Sequence, residues 1–279
     1  MSNVEQTSNI VMCCDAMVDF DVKDKYDLVV CDPPYNIGYD YGDEFDDKQS
    51  VEAYTAFSSR WLTKAHAALH ATGALWLIIG DEWAAELKVI ARSVGFSLRS
   101  WVIWYYTFGV NCENKFTRSH THCLYMVKDR KNFKFNTDAI KVPSARQLVY
   151  NDKRAKAGGR LPDDTWVLLP QQNPAGWPQQ HDTWCIPRLC GTHKERVKGI
   201  PTQLPELLVS RIVRACTDPG DSVLDLMAGS GTVGTVCKKL RRHSLSIEQS
   251  VKYANFITDR LAGTTPGDSI TGEEASNVK

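Results

Sequence analysis

Apolar positions along the chain alternate between short continuous runs and longer amphipathic stretches. Strand-length segments rich in apolar and β-branched residues lie at 9–14, 26–31, 73–79, 98–106, 121–127, 221–226 and 243–248. Stretches with a 3.6-residue apolar period lie at 50–70, 82–94, 203–216, 232–241 and 250–262 and predict helices. The alternation predicts an α/β fold with a mostly parallel sheet and helices on both faces. The segments 98–106 and 121–127 are expected to pair as an antiparallel hairpin at the edge of that sheet. Between 129 and 198 the periodicity fades, and Pro, Gly, Gln and Trp become common, as in Pro170-Gln171-Gln172-Asn173-Pro174-Ala175-Gly176-Trp177-Pro178. From Gly263 the sequence is small and polar, and a flexible tail is expected.

Composition and charge refine the picture. An apolar content of 43% in 279 residues supports a sizeable core, in one large domain or two. No run of eighteen apolar residues is present, so no membrane span is expected, and the polar first eight residues do not read as a signal peptide. The nine cysteines, two of them adjacent at Cys13-Cys14, suit a reducing cytoplasm better than a disulfide framework. Net charge is zero but unevenly spread. Acids dominate from Asp15 to Asp47, opposed by Lys23 and Lys25, whereas from Lys115 to Arg160 bases outnumber Asp129, Asp138 and Asp152. That reversal is a candidate phosphate-binding footprint, against the plainer reading of a solvated loop.

Two motifs carry candidate chemistry. Asp32-Pro33-Pro34-Tyr35 closes the apolar run 26–31. Its prolines fix two φ angles, remove two N–H donors and extend the residues before them, leaving a stiff corner with free carbonyls, one carboxylate and an aromatic ring. Such a corner can hold a planar base and accept hydrogen bonds from an exocyclic amine. Near the other end, Asp221-Ser222-Val223-Leu224-Asp225-Leu226-Met227-Ala228-Gly229-Ser230-Gly231-Thr232 reads as a strand, a glycine-rich turn and a helix start. The next strand ends at Glu248, placed to accept ribose hydroxyls. The turn also matches a dinucleotide fingerprint formally. Fewer than fifty residues follow it, too few to complete a dinucleotide domain, so the remaining strands must come from upstream in a permuted order.

With these motifs in this order, residues 10 to 262 resemble the β group of S-adenosylmethionine-dependent DNA amino-methyltransferases. Asn9–Ala16, Gly73–Asp81 and Gly199–Leu208 resemble further segments of that family; Ile200, Leu204, Leu226 and Met227 depart from its usual residues. The resemblance implies a Rossmann-like methyltransferase sheet. Its catalytic part would be 9–128, a target-recognition region 129–198, and a cofactor-binding part 199–262, with a tail at 263–279. It implies Asp32, Pro33, Pro34 and Tyr35 as the catalytic corner. It implies S-adenosylmethionine held by Asp15, Ala16, Asp32, Thr202, Gln203, Asp225, Met227, Ala228, Gly229, Ser230, Gly231, Thr232 and Glu248. Double-stranded DNA is the expected partner, met by Lys115, Arg118, His120, Arg146, Arg154, Lys156, Arg160 and Arg196. A homodimer is expected by resemblance alone, and a cytoplasmic, nucleoid-associated location follows from the substrate.

In this reading adenine N6 is the target, because an Asp usually opens the motif in the adenine group and a Ser in the cytosine-N4 group. Cytosine N4 stays open as the alternative, as does a non-catalytic DNA-binding protein with the same fold. Tyr39, Tyr41 and Phe108 are candidates for a second stacking ring. His181, Cys185, Cys190 and His193 are spaced more loosely than common zinc ligands, and no metal is expected. The chain has no Pro-Cys dipeptide of the kind a cytosine-C5 nucleophile would need.

Overall fold

The computed structural model describes residues 8–18, 22–41, 45–110, 112–148, 150–155, 158–167, 186, 188–189, 193–197, 199–200 and 202–273, with the side chains of 107–110 excepted. The strands are β1 (Asn9–Cys13), β2 (Tyr26–Cys31), β3 (Leu69–Ile79), β4 (Ser97–Val110), β5 (Arg118–Val127), β6 (Thr165–Val167), β7 (Ser222–Asp225) and β8 (His243–Glu248). The helices are α1 (Val51–Ala68), α2 (Ala84–Val94), the single turn α3 (Ala145–Leu148), α4 (Glu206–Cys216), α5 (Thr232–Lys239) and α6 (Val251–Ala262). They build one eight-stranded sheet in the order β1-β8-β7-β2-β3-β5-β4-β6. Among these strands β5 alone runs against the rest, antiparallel to both β3 and β4.

Strand alternation divides the core between the two faces of the sheet. Val29, Cys31, Leu75 and Leu77 point one way, onto Tyr54, Trp61 and Leu62 of α1 and Leu87 of α2. Leu28, Val30, Trp76 and Ile78 point the other way, onto Leu208 and Ile212 of α4 and Val236 of α5. The helices are bounded by local chemistry. The Ser50 hydroxyl accepts from Ala53 N (3.2 Å) to cap α1, and Gly95, at φ 123°, ends α2.

Three expectations need correction. The β4–β5 hairpin is antiparallel as anticipated but does not form the sheet edge. β6 pairs in parallel with β4 outside it, and Trp166 stacks on Trp76 (5.8 Å between ring centroids). Strand β3 begins at Leu69, directly after α1, rather than at Gly73. The tail is docked as far as Glu273. Ile270 is buried in the core, Lys239 Nζ donates to Ser269 O (3.0 Å), and the Glu273 carboxylate takes the Arg214 guanidinium, with Nη2–Oε2 at 3.1 Å. The polarity of the tail concealed this, since one isoleucine carries its apolar contact. Ile270→Ala is therefore expected to cost about 2–5 kcal/mol in denaturant unfolding; an unchanged midpoint would mean that the segment contributes nothing to the fold.

Candidate active site

The chain runs β2–β3 to one side and β7–β8 to the other, so β2 and β7 flank the point where strand order reverses. Open α/β sheets present a crevice there, beyond the carboxyl ends of the strands. Val30 of β2 pairs with Asp225 of β7, and Asp32 follows two residues later. A cleft with about 1080 Å³ of empty space, its open mouth included, lies above this pair and runs toward Glu248 at the end of β8 and Asp15 beyond β1.

At the proline corner, Tyr35 Oη donates to Asp32 Oδ1 (2.9 Å). The Pro34 carbonyl is already taken by Tyr54 Oη of α1 (2.6 Å). The Tyr35 ring lies against Gly80, where an added Cβ would come within 3.1 Å of it; a glycine at the end of β3 is what admits the ring. Asp47, nearly fully buried, organises the loop that follows. Its carboxylate accepts from the backbone N–H groups of Asn36 (2.7 Å), Ile37 (3.1 Å) and Tyr39 (2.8 Å), and its carbonyl from Gly38 N (2.7 Å). Asp47 and Tyr54 escape sequence reading because the residues they serve lie eleven and twenty positions away.

The glycine-rich turn is equally constrained. Gly231 has φ 71° and starts α5, and an added Cβ would lie 2.7 Å from Ile257 of α6. Glu248 Oε2 accepts from Gly229 N (2.7 Å) and Oε1 from Ser250 N (2.9 Å), which aims the carboxylate at the turn. Arg260 of α6 braces the same turn, with Nη1 donating to Ser230 O (2.9 Å) and Thr232 Oγ1 (3.2 Å). Its Nη2 donates to the buried Glu206 (3.1 Å).

The electrostatics of the cleft define its ligand. Asp15, Asp32, Asp225 and Glu248 all line it, and no Lys, Arg or His does so among the described residues. Burial pushes the Asp225 carboxyl up to about 8; the Met227 N–H bond opposes this, and repulsion from Asp32 and Glu248 adds to it. Asp32 is partly exposed to the cleft, yet the surrounding protein pushes it up to about 7 against the Tyr35 hydrogen bond. Such a cleft favours a cation and opposes a pyrophosphate, which disfavours the dinucleotide alternative. Met227 supplies a polarisable sulfur, and Phe57, Ile200 and Leu204 supply apolar walls. Phe57 carries no motif of its own and becomes legible only once the chain is folded, whereas Ile200 and Leu204 belong to the Gly199–Leu208 segment.

The sequence-derived cofactor residues mostly converge here. Asp15, Ala16, Asp32, Thr202, Asp225, Met227, Ala228, Gly229, Ser230, Thr232 and Glu248 line the cleft, with Gly231 beneath them as the packing point. Gln203 is the exception: its amide accepts from Val197 N (2.8 Å) and donates to Glu195 O (3.0 Å), bracing the 193–197 turn instead. Of the candidate stacking rings, Tyr41 lines the cleft; Tyr39 packs on it at 4.9 Å, and the Phe108 side chain lies outside the described residues.

The expected DNA-contacting residues are scattered. Lys115 is exposed in the β4–β5 connection. Arg118 has an 18% exposed side chain and pairs with Asp81 (2.7 Å) and Glu82. His120 packs edge-on against His122 at 4.9 Å. Arg146 (2.5 Å) and Arg154 (2.9 Å) both grip Asp152, and Arg160 pairs with Asp163 (2.5 Å). Arg196 N closes a turn onto His193 O (3.0 Å). Lys156, His181, Cys185 and Cys190 lie outside the described residues.

A switch-point cleft lined by four carboxylates, with the Asp32 corner beside it, is suited to a cationic ligand. Residues 26–259 match the DNA methylase family of N6 and N4 methyltransferases, and the chain belongs to that family. It is 33% identical over 246 residues to the type II methyltransferase M.HpaI of Haemophilus parainfluenzae, covering 88% of this chain and 71% of that protein. It is 29% identical over 259 residues to the DNA adenine methyltransferase YhdJ of Escherichia coli (strain K12), covering 91% and 81%. Its fold matches that of the cytosine-N4-specific PvuII DNA methyltransferase with a TM-score of 0.65 at 15% identity, over 97% and 90% of the two chains.

The part played by Asp47 can be tested apart from chemistry. Asp47→Ala removes the acceptor of three part-buried N–H groups and is expected to destabilise the fold by about 1–3 kcal/mol while loosening the loop after Tyr35. Thermal unfolding with amide exchange at 36–39 checks this; wild-type protection there would assign the loop's order to something else.

Proposed function

We propose that this protein transfers a methyl group from S-adenosylmethionine to adenine N6 of a base swung out of duplex DNA. The observation that carries the reading is the Asp32 corner set into a cleft of four carboxylates, with no Lys, Arg or His lining it among the described residues, in a chain of the DNA methylase family. When bound, the donor supplies an activated methyl on a positively charged sulfur. In this reading Glu248 would accept from the ribose hydroxyls, and Asp32 and Asp225 would offset the cationic end; all three line the cleft.

Adenine N6 is a poor nucleophile because its lone pair is delocalised into the ring. Tyr35 occupies Oδ1 of Asp32, so Oδ2 is the oxygen left for one N6 hydrogen. Tyr54 occupies the Pro34 carbonyl, so Pro33 O is the acceptor left at the corner for the other. Two acceptors favour a tetrahedral nitrogen with a localised lone pair, and catalysis is then largely positioning and electrostatic support. Methylated N6 must shed a proton, and a carboxyl raised to about 7 is a competent first acceptor. Tyr41, at the cleft wall, is the proposed ring against which the extruded base rests.

The adenine assignment is supported by Asp as the opening residue of the motif and by the likeness to an enzyme named as an adenine methyltransferase. Cytosine N4 is the second reading, supported by the shared fold of a cytosine-N4 enzyme and by the identical demand its amine makes on Asp32. The proposed phosphate contacts are the exposed parts of the 115–160 segment, without Arg118. A homodimer and a cytoplasmic, nucleoid-associated location remain proposals by resemblance.

Modified-base sequencing of DNA from cells expressing the protein is expected to show N6-methyladenine in one sequence context, and none with Asp32→Ala. N4-methylcytosine would favour the second reading, and unmodified DNA would refute both. Donor affinity should also depend on pH. The free cleft holds protons below about pH 7–8 on Asp32 and Asp225, whose carboxyls are raised. A cation favours their ionised forms, so binding releases protons and weakens as pH falls through that window. Calorimetry of S-adenosylmethionine binding from pH 6 to 9, in buffers of different ionisation enthalpy, reads both effects. A pH-independent affinity without proton release would dissociate the two carboxylates from the donor.

A further inference from the structure

Phe116 is 99% exposed, an extreme value for a phenylalanine. It lies in the connection between β4 and β5, whose paired ends are Val110 and Arg118. The connection stands at the carboxyl end of the sheet. His122 of β5 is opposite Ile79, the last residue of β3, and β5 begins four residues before His122, at Arg118. The hairpin therefore overshoots β3 by about 13 Å at ~3.3 Å per residue. Asp32 is at the same end, since the preceding Cys31 pairs with Leu77 of β3.

The root of this arm is fixed where its tip is bare. Arg118 is clamped by Asp81 and Glu82, the two residues after Gly80, and Gly80 is the residue against which Tyr35 lies. The arm is thus registered to the Asp32–Tyr35 corner through one short segment of chain. Around Phe116 the sequence is polar: Glu113, Asn114 and Lys115 precede it and Thr117 follows, and Glu113 to Thr117 are all exposed. A protein-docking surface would offer a contiguous apolar patch, whereas a single planar ring beside a lysine suits the stacked bases and phosphates of a nucleic acid.

We infer that Phe116 is a wedge that enters the base stack of the duplex beside the target nucleotide, with Lys115 meeting a neighbouring phosphate. The inference rests on the duplex-methylating function proposed above and supplies what that function leaves open, namely what fills the stack when the base leaves it. The inserted ring offsets part of the unstacking cost, so its effect should be confined to substrates whose target base is paired.

The test uses two duplexes carrying the site mapped by sequencing, one with the target base paired and one with it opposite an abasic position. Phe116→Ala is expected to lower kcat/KM on the paired duplex by about tenfold or more, while staying within about twofold of wild type on the other. Phe116→Trp should retain activity on both, and S-adenosylmethionine affinity should match wild type in each variant. Wild-type rates for Phe116→Ala on the paired duplex, or an equal loss on both duplexes, would overturn the wedge. A wild-type protein that methylates neither duplex would remove the underlying function, and the wedge with it.

Discussion

The pairing of β2 with β7 is the constraint on which the site depends. Three residue pairs, ending at Val30–Asp225, bring the carboxyl ends of two strands together and place Asp225 and Asp32 above the same gap. Two carboxylates in low-polarity surroundings repel each other and resist ionisation, and no basic side chain among the described residues lines the gap to relieve them. The fold thus holds an electrostatic deficit that a positively charged donor satisfies. Burial raises both carboxyls, and repulsion from Asp32 and Glu248 adds to the rise at Asp225.

Rigidity is supplied from a distance on both sides of the cleft. Tyr54 and Asp47 fix the corner and the loop beyond it from α1 and from the segment leading into that helix. On the cofactor side, Arg260 spans from the glycine-rich turn to Glu206, which also receives Lys239 Nζ (2.7 Å) and Thr271 N (3.0 Å). The backbone N–H of Glu206 is in turn accepted by Glu195 (2.7 Å), whose carboxyl burial pushes up to about 7. Glu206 is nearly fully buried, and removing one partner from so enclosed an ionic cluster would leave an uncompensated charge. The cofactor turn and the docked tail therefore meet on the Glu206 carboxylate, and the end of the 129–198 region on its backbone N–H.

What the sequence disclosed was whatever local chemistry writes into consecutive residues. The proline corner, the Gly229–Gly231 turn and Glu248 were legible because each motif is stiff or permissive by itself, and the apolar runs located seven of the eight strands. β6 was missed because three residues give too little periodicity to detect. The interior position of β5, between β3 and β4, is a matter of long-range pairing that a hairpin pattern leaves undetermined. The partners of Arg118 and Gln203 were hidden for a related reason. Their side-chain types suit phosphate and cofactor, but Asp81 and Glu195 reach them first, and such competition is settled only by the fold.

The permuted order also has a consequence for biosynthesis. β2 and β3 are made early and can pair at once, whereas the other edge of β2 must wait for Val223 to Asp225, nearly two hundred residues later. Until then a largely apolar strand presents a row of unsatisfied backbone groups, the usual template for misassociation between chains. Asp32 is made well before β7 and acquires that side of its surroundings only when β7 arrives. Closing that sequence separation is a high-contact-order step, so the nascent chain, more than the finished enzyme, is where this architecture is vulnerable.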